Sequence, residues 1–455
     1  MKENKMGAMP VKKLIVSMSL PMMISMLVQA LYNIVDSVFV AQLSEEALTG
    51  VTLAFPMQNF MFAVAGGTGV GINAMLSKSL GEREYDKADS AAGNGIVLCM
   101  LAAFAFMAAS FMGAARGFIG TQTGDPVIMR EGTTYLSIVM VLSIGMSAQV
   151  TLERLLQSTG RTFYTMITQA LGAIINIIMD PIMIFGLFGF PAMGVAGAAY
   201  ATIIGQSIAA TLALIFNITK NPDIHFSWKI FILKADTVKR IYYVGVPSIL
   251  MIAIGSIMTY MMNKILSVFS STAVAVFGVY FKLQSFFFMP VFGLNNGVIP
   301  VLAFNYGAKN RERINEALRF AVTLAFSIMC LGTVVFELIP GTLLGLFKAT
   351  GDMMSIGITA LRIIAIHFPL AGLCIAMGSI FQAFSRSIYS LVISLGRQLF
   401  VLIPAAYILS LAGNVNVVWW AFPIAEAVSL ALTLTFFRKL HKEVSQELEK
   451  EKIPD

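Results

Sequence analysis

An internal repeat constrains the fold of this chain more than any other feature of its sequence. The second half repeats the first at a shift of about 226 residues, and the shift hardly drifts along the chain. Its clearest marks are prolines and glycines that coincide after the shift: Pro21 with Pro247, Gly71 with Gly297, and Gly81 with Gly307. The repeat predicts two units of the same architecture that meet near residue 230.

Each unit consists of long apolar segments. Hydrophobic residues make up 57% of the 455 residues and charged residues 12%, against about 25% charge in soluble domains. Barrel strands are much shorter than these segments, so we expect an all-α integral membrane protein with twelve transmembrane helices in two six-helix bundles. The segments that reach the ~20 residues needed to span a bilayer are 14–41, 50–77, 91–113, 132–157, 163–186, 193–217, 240–267, 273–303, 316–338, 354–383, 388–411 and 417–437.

The positive charges predict the orientation of these helices. Most of the 31 Lys and Arg residues precede the first span or lie in the even-numbered connections and the tail, which the positive-inside rule places in the cytoplasm with both termini. Six spans return each half to the same side, so the repeat is a parallel one. The net charge of +7 follows from this topology and needs no nucleic-acid partner. We expect domains at 1–220 and 240–455, joined by a cytoplasmic linker at 221–239.

Acidic and amide side chains share faces of two predicted helices in the first half. Gln29, Asn33 and Asp36 follow one another at i, i+4 and i+7 on span 1. Asn176 and Asp180 are four residues apart on span 5, at a similar distance from the predicted outer end. The two carboxylates are therefore at similar depth and could meet.

These acids are expected to be functional, because a charge near the bilayer centre costs roughly 2.5–3.5 kcal/mol. When the two halves of the sequence are aligned by the repeat, Asp36 corresponds to Met262 and Asp180 to Ala405. We therefore expect buried acids in the first half only. Two carboxylates in a dry site disfavour the doubly ionised form and would share a proton. A structural alternative is that Asp180 caps the kink at Pro181 and that Asp36 bonds to a neighbouring hydroxyl.

Predicted span 4 carries a second polar stripe. Gln149, Glu153 and Gln157 are spaced by four residues, and Tyr135 lies near the outer end of the span. Glu153 is predicted either to line a cavity, in a proton network or attracting a cation, or to form a structural ion pair with Arg154.

Signatures of enzymes and cofactor sites are missing from the sequence. The glycine run at 66–71 lacks the Lys-Ser/Thr ending of a phosphate-binding loop. No metal, disulfide or nucleophile spacing involves Cys99, Cys330 or Cys374. We therefore expect neither an enzyme nor a cofactor, and an ion gradient as the energy source. The roles of four basic residues inside second-half spans stay open: Lys264, Lys282, Arg362 and Arg397.

Three stretches carry a family resemblance that covers nearly the whole chain: YNIVDSVFVAQLSEEALTGV from Tyr32, GEREYDKADSAAG from Gly81 and NIIMDPIMIFG from Asn176. The sequence resembles the multidrug and toxic compound extrusion (MATE) family and looks most similar to its MepA/DinF-like bacterial branch. The resemblance implies a multi-pass transporter of the bacterial inner membrane that exports drugs against entry of protons or sodium.

The resemblance also implies site residues for ion coupling, by a proton or by a sodium ion. The branch has an Asp on span 1, a Tyr on span 4 and an Asn/Asp pair on span 5, which here are Asp36, Tyr135, Asn176 and Asp180. Its polar position on span 4 is typically Asn, and Glu153 stands there. Its hydroxyl position on span 6 falls near Ala198, so that partner is either missing or replaced by Thr202. The family's NorM-like branch uses acids on spans 7 and 10, where this chain has none. The expected substrate or ion network is completed by Gln29, Asn33 and Gln149.

Two functions are candidates from the sequence. The first is a proton-coupled (or sodium-coupled) multidrug antiporter for amphipathic organic cations, which confers antibiotic resistance. The alternative is a flippase for lipid-linked envelope precursors, in which the basic second half would bind a pyrophosphate. Two complete bundles in one chain need no second copy, so we expect a monomer in the lipid bilayer.

Overall fold

The computed structural model describes residues 4–347, 349 and 351–450, without the side chains of Asn33, Glu45, His441 and 444–450. Helices form nearly all of this part of the chain, and it contains no strand. Ten of the helices are long and apolar enough to cross a membrane, and two further pairs, bent by 50° and 46°, each make one broken span. The prediction of an all-α protein with twelve spans is confirmed.

We number the spans α1 to α12 in chain order. Their bounds are α1 Val11–Ala41, α2 Glu45–Gly81, α3 Tyr85–Phe111, α4 Pro126–Val141 with Ile144–Ser158, α5 Thr162–Phe185, α6 Val195–Lys220, α7 Ala235–Ser267, α8 Ser271–Gly307, α9 Arg311–Leu338, α10 Asp352–Ala365 with Phe368–Ala383, α11 Ser387–Ser410 and α12 Ala421–Lys450. The first bundle is α1 to α6 and the second is α7 to α12.

The internal repeat appears as matching irregularities in the two bundles. The bent spans are α4 in the first bundle and α10 in the second, each the fourth helix of its half. A short helix precedes each of them, Ala114–Gly120 in one half and Pro340–Gly345 in the other. Repetition of a break and of a short helix at the same place shows that the two halves share one architecture.

The two bundles meet along helices α1, α2, α7 and α8, with α1 against α8 and α2 against both α7 and α8. Six glycines, which we call the glycine seam, let the backbones approach here: Gly67, Gly71 and Gly81 of α2, and Gly293, Gly297 and Gly307 of α8. A Cβ atom at any of them would overlap an atom of the other bundle, such as the Ile241 carbonyl at Gly71. A shift of 226 residues relates the three glycines of α2 to the three of α8. Each bundle thus packs its second helix closely against the other bundle.

The glycine seam closes only one side of the molecule. It lies on the half of these helices nearer the two chain termini, which we call the termini side. On the opposite side, the same helix faces are open: Phe60 is 46% exposed, Tyr260 60% and Phe286 40%. The bundles therefore enclose a cleft that opens away from the termini.

The connection between the bundles is held by one asparagine of α3. The side chain of Asn94 donates hydrogen bonds to the carbonyls of Ile230 and Ile232, both at 2.9 Å, and accepts one from the Lys234 backbone at 2.7 Å. This anchors the segment between the end of α6 and the start of α7. The domain boundaries at 220 and 240 stay a prediction.

Candidate functional site

Two carboxyl groups come together inside the first bundle, Asp36 from α1 and Asp180 from α5. They approach closely enough for one, when protonated, to donate a hydrogen bond to the other. Asp180 is fully buried. Among the described residues, neither of its oxygens has a hydrogen-bond partner, and neither does Oδ1 of Asp36. We call these two residues the carboxyl pair.

Two tyrosines and a glutamine surround the carboxyl pair. Tyr135, in the first half of α4, is 2% exposed and lies near Asp36 and Gln58. Tyr32, one helical turn before Asp36, lies within electrostatic range of both acids. Phenolic hydroxyls can donate to carboxylates, so these tyrosines can stabilise an ionised member of the pair.

Tyr32 and Gln58 were not among the residues selected from the sequence. The four-residue spacing that links Asn176 to Asp180 also links Tyr32 to Asp36, so the sequence held a signal for the tyrosine. Gln58 belongs to α2, and the rotation of α2 against α1 is set by tertiary packing. No spacing along one helix predicts that contact.

Asn176 lies one helical turn from Asp180 and joins α5 to α6. Its side-chain amide donates a hydrogen bond to the Thr202 hydroxyl at 3.3 Å. The two helices approach closely because a Cβ on Gly205 would lie 2.6 Å from the carbonyl of Gly172. The structure therefore brings the Thr202 hydroxyl to Asn176, and its role in the network stays a prediction.

Several hydrogen-bond acceptors around the carboxyl pair have no donor among the described residues. Asn176 Oδ1 and Gln58 Oε1 are buried without a hydrogen-bond partner among the described residues, as are the carboxylate oxygens named above. Buried polar atoms are normally satisfied, so this concentration of unmet acceptors can receive a proton, a cation or a water molecule. Carboxylate and amide oxygens are also the ligands that hard cations prefer. No group of three or more His, Cys, Asp or Glu suited to a metal ion occurs among the described residues.

Glu153 lies in a separate polar cluster, in the second half of α4. Its carboxylate accepts hydrogen bonds from Gln149 at 3.1 Å, Thr168 at 2.9 Å and Gln169 at 2.7 Å. Thr168 precedes Asp180 by twelve residues on α5, which places this cluster about 18 Å from the carboxyl pair along the helix. The expected single network thus consists of two clusters, joined by the α5 face that carries Thr168, Asn176 and Asp180.

Arg154 does not take Glu153 as a hydrogen-bond partner. Its guanidinium donates to Gln157 at 2.8 Å and, across the two bundles, to Asn296 of α8 at 3.1 Å. Glu153 is nearly buried, at 3% exposure, and is satisfied by neutral donors. The structural ion pair considered from the sequence is therefore replaced by a contact between the bundles.

The other two residues of the expected network are not placed at the carboxyl pair. Gln29 is half-buried on α1, and no hydrogen bond described for it reaches the pair. The side chain of Asn33 lies outside the described residues. Their participation in the network stays a prediction.

The expectation that only the first half has buried acids is wrong. Glu426 of α12 is 2% exposed, and its carboxylate binds the guanidinium of Arg397 at 3.2 Å. Arg397 lies in a π-helical stretch of α11, Gly396–Leu402. The pair is tolerated because each charge neutralises the other, whereas no cation among the described residues pairs with Asp36 or Asp180.

The other basic residues of the second-half spans differ in their partners. Arg362 lies 3.9 Å from Glu337, and the ammonium of Lys264 lies over the ring of Tyr260, 5.7 Å from its centre. Lys282 of α8 is exposed, and no partner among the described residues contacts its ammonium. It is therefore the one member of the four for which the described residues supply no partner.

Comparison with known proteins agrees with this architecture. A sequence model of the MatE family matches residues 21–182 and again 247–408, two stretches that start 226 residues apart. This chain belongs to the MatE family. The MatE chain is thus a membrane transporter, not an enzyme.

The relatives of this MatE chain are distant but match over almost their full length. It is 25% identical over 432 residues to the multidrug export protein MepA of Staphylococcus haemolyticus, covering 93% of this chain and 92% of the relative. It is 24% identical over 422 residues to a protein of Shewanella oneidensis described as an FAD transporter, covering 91% and 92%.

Solved structures show the same fold. The crystal structure of MATE in complex with MaL6 superimposes with a TM-score of 0.92 at 24% identity, over 98% of this MatE chain and 100% of that chain. A MOP superfamily transporter from Pyrococcus furiosus, described as having a binding pocket of reverse polarity, gives a TM-score of 0.91 at 24% identity, over 98% and 99%.

Proposed function

We propose that this protein is a secondary active multidrug efflux transporter that exports amphipathic organic cations by antiport with protons, or with sodium, through alternating access. The observation that supports this most is the carboxyl pair, in which a fully buried acid, Asp180, lies against a partly buried one, Asp36, without a cation among the described residues. The ion that satisfies the pair is the one whose gradient drives export.

The physical argument concerns the charge state of the pair. Two ionised carboxylates in contact within an apolar bundle repel each other and have lost their hydration. Binding one proton, or one sodium ion held also by the Asn176 amide oxygen, removes one negative charge from Asp36 and Asp180. Loss of that ion restores the unfavourable state, so the occupancy of the pair can favour one arrangement of the first bundle over another.

Alternating access fits the asymmetry of the cleft. The glycine seam holds the bundles together on the termini side, while the faces of α1, α2, α7 and α8 are open on the other. The excess of Lys and Arg on the termini side supports a cytoplasmic location for that side, in the inner membrane of a bacterium. The structure then corresponds to the state from which a substrate leaves the cell.

The test is transport by purified protein in proteoliposomes, with ethidium as the fluorescent cation and an imposed pH gradient without sodium. We expect accumulation that a protonophore abolishes and that Asp36→Asn and Asp180→Asn eliminate. Accumulation that needs added sodium would assign the same residues to a sodium site. Full activity of both variants under either gradient would contradict the proposal.

The flippase alternative loses its main support. It relied on four basic residues in the second bundle as a pyrophosphate site, but Arg362, Arg397 and Lys264 each have a partner. The two relatives described above differ in their stated substrates, a drug exporter and an FAD transporter. The substrate of this chain must therefore be inferred from its own cleft.

A further inference from the structure

Lys282 is a basic residue inside the transmembrane helix α8, and none of the described residues pairs with its ammonium. It follows the start of α8 at Ser271 by eleven residues, and its side chain is exposed. An unpaired ammonium facing lipid at this depth is strongly disfavoured. The direction in which Lys282 points therefore decides what it does.

Helix geometry places Lys282 on the face of α8 that contacts the first bundle. Gly293 and Gly297 pack against Met23 and Ser19 of α1, so they define that face. Lys282 precedes Gly293 by eleven residues, about three full turns, which returns the side chain to the same direction. The lysine lies about 16 Å from this contact, on the side away from the termini.

The same face of α8 is open at the level of Lys282. Ala275, Gly278 and Phe286 follow the helical spacing of the lysine and are exposed as well. A Cβ built on Gly278 would meet no atom within 4 Å, whereas one on Gly297 would lie 2.6 Å from Ser19. Lys282 therefore points into the cleft between the bundles rather than into lipid.

The charge of Lys282 is not balanced along its own wall of the cleft. Helix α8 contains no Asp or Glu, and neither does α7 beyond residue 247. Aromatic side chains occupy the neighbouring positions of that wall, with Phe286 on α8 and Tyr260 on α7 both exposed. Besides Lys264, whose ammonium lies over the Tyr260 ring, the wall thus offers an apolar surface with one cation that no described residue pairs with, which suits an apolar molecule that carries an anionic group.

We infer that Lys282 binds an anionic group of the substrate, a carboxylate or a phosphate, and so makes the protein prefer an amphipathic molecule that carries such a group over the same molecule without it. This rests on the proposed export function and narrows its substrate class. The cationic end of such a molecule faces the first bundle, which carries the carboxyl pair. The anionic end pairs with the lysine by a charge-assisted hydrogen bond.

The test compares one fluorescent acid with its ester. Ciprofloxacin carries a carboxylate and an ammonium, and its ethyl ester keeps the ammonium and the ring system but lacks the carboxylate. We expect Lys282→Gln to raise the KM for the acid about tenfold, the effect of losing one charge-assisted contact. The KM for the ester and for ethidium should change less than about twofold, and Lys282→Arg should retain most of the preference for the acid.

Arg362→Gln is the matched control, because it removes the same charge from the second bundle at a residue that pairs with Glu337 instead of facing the cleft. It should leave the ratio of acid to ester unchanged. Equal loss of acid, ester and ethidium in Lys282→Gln would overturn the inference, because the lysine would then serve the transport cycle. An unchanged ratio in that variant would overturn it as well.

A binding measurement separates this inference from the proposed function. Fluorescence titration of detergent-purified protein gives affinities without any gradient or transport. The inference requires the acid to bind more tightly than the ester to the wild type and to lose that advantage in Lys282→Gln. Equal affinities of acid and ester for the wild type would refute it even if ethidium export were established.

Discussion

Gly297→Ala is expected to weaken closure of the termini side. The new Cβ would lie 2.6 Å from Cα of Ser19, whereas carbon atoms in contact are separated by about 3.5–4.0 Å. Helices α1 and α8 would have to part by about 1 Å or more at this point. Overpacking of this kind costs about 1–3 kcal/mol, which would shift the equilibrium away from the closed seam by about 5- to 150-fold.

The assay is a distance measurement between spin labels at Lys87→Cys and Lys309→Cys, in a background that lacks the three native cysteines. These positions belong to different bundles and line a common cavity of about 690 Å³ on the termini side. Gly297→Ala should move the distance distribution to longer values. Gly278→Ala is the control, because it makes the same substitution in the same helix where no atom meets the new Cβ.

Identical distance distributions for Gly297→Ala and Gly278→Ala, with transport unchanged in both, would refute this account of the seam. A shift in both variants would point to helix propensity, since both replace a helical glycine by alanine. Only a shift confined to Gly297→Ala supports close approach as the property that the repeated glycines provide.

Four further substitutions test the polar contacts. Glu153→Gln should lower the melting temperature in detergent, because an amide cannot accept hydrogen bonds from three donors as the carboxylate does. The expected loss of stability is about 1–3 kcal/mol. An unchanged melting curve would show that the cluster is not needed for stability. Glu426→Gln should lower the free energy of unfolding by about 1–3 kcal/mol, which is less than the loss expected from breaking a fully buried ion pair, because Arg397 is 29% exposed. Glu337→Gln, which breaks an exposed pair with Arg362, should lower it by under about 1 kcal/mol. Equal losses in the two variants would contradict this ranking. Asn94→Ala should speed proteolysis of the segment 221–234, because three hydrogen bonds of the Asn94 side chain anchor that segment. The helical circular dichroism signal should not change. An unchanged digestion rate would contradict the role of Asn94 as an anchor.

The features that could be predicted from the sequence are those with a period or a repeat. Twelve spans, their division into two halves and the glycines at Gly71, Gly81, Gly297 and Gly307 all follow from patterns along one chain. The depth of an acid can also be counted from the end of its helix. This is why the sequence alone predicts that Asp36 and Asp180 could meet.

The features that could not be predicted depend on how helices rotate against one another. Thr168 and Gln169 bind Glu153 only because α5 faces α4 there, and no spacing within α4 contains that information. Glu426 lies inside the predicted span 417–437, so its burial could have been predicted as for Asp36 and Asp180, but its pairing with Arg397 of another helix could not. An ion pair between two spans has no signature along either of them.

The most direct test of the central claim, that the carboxyl pair carries the coupling ion, is proton release on substrate binding. Purified protein in weakly buffered, sodium-free detergent solution is mixed with ethidium, and a pH indicator records the protons released. We predict release from the wild type and none from the double variant Asp36→Asn, Asp180→Asn that still binds ethidium. Release of the same number of protons by the double variant would contradict the claim, because the proton would then come from another group.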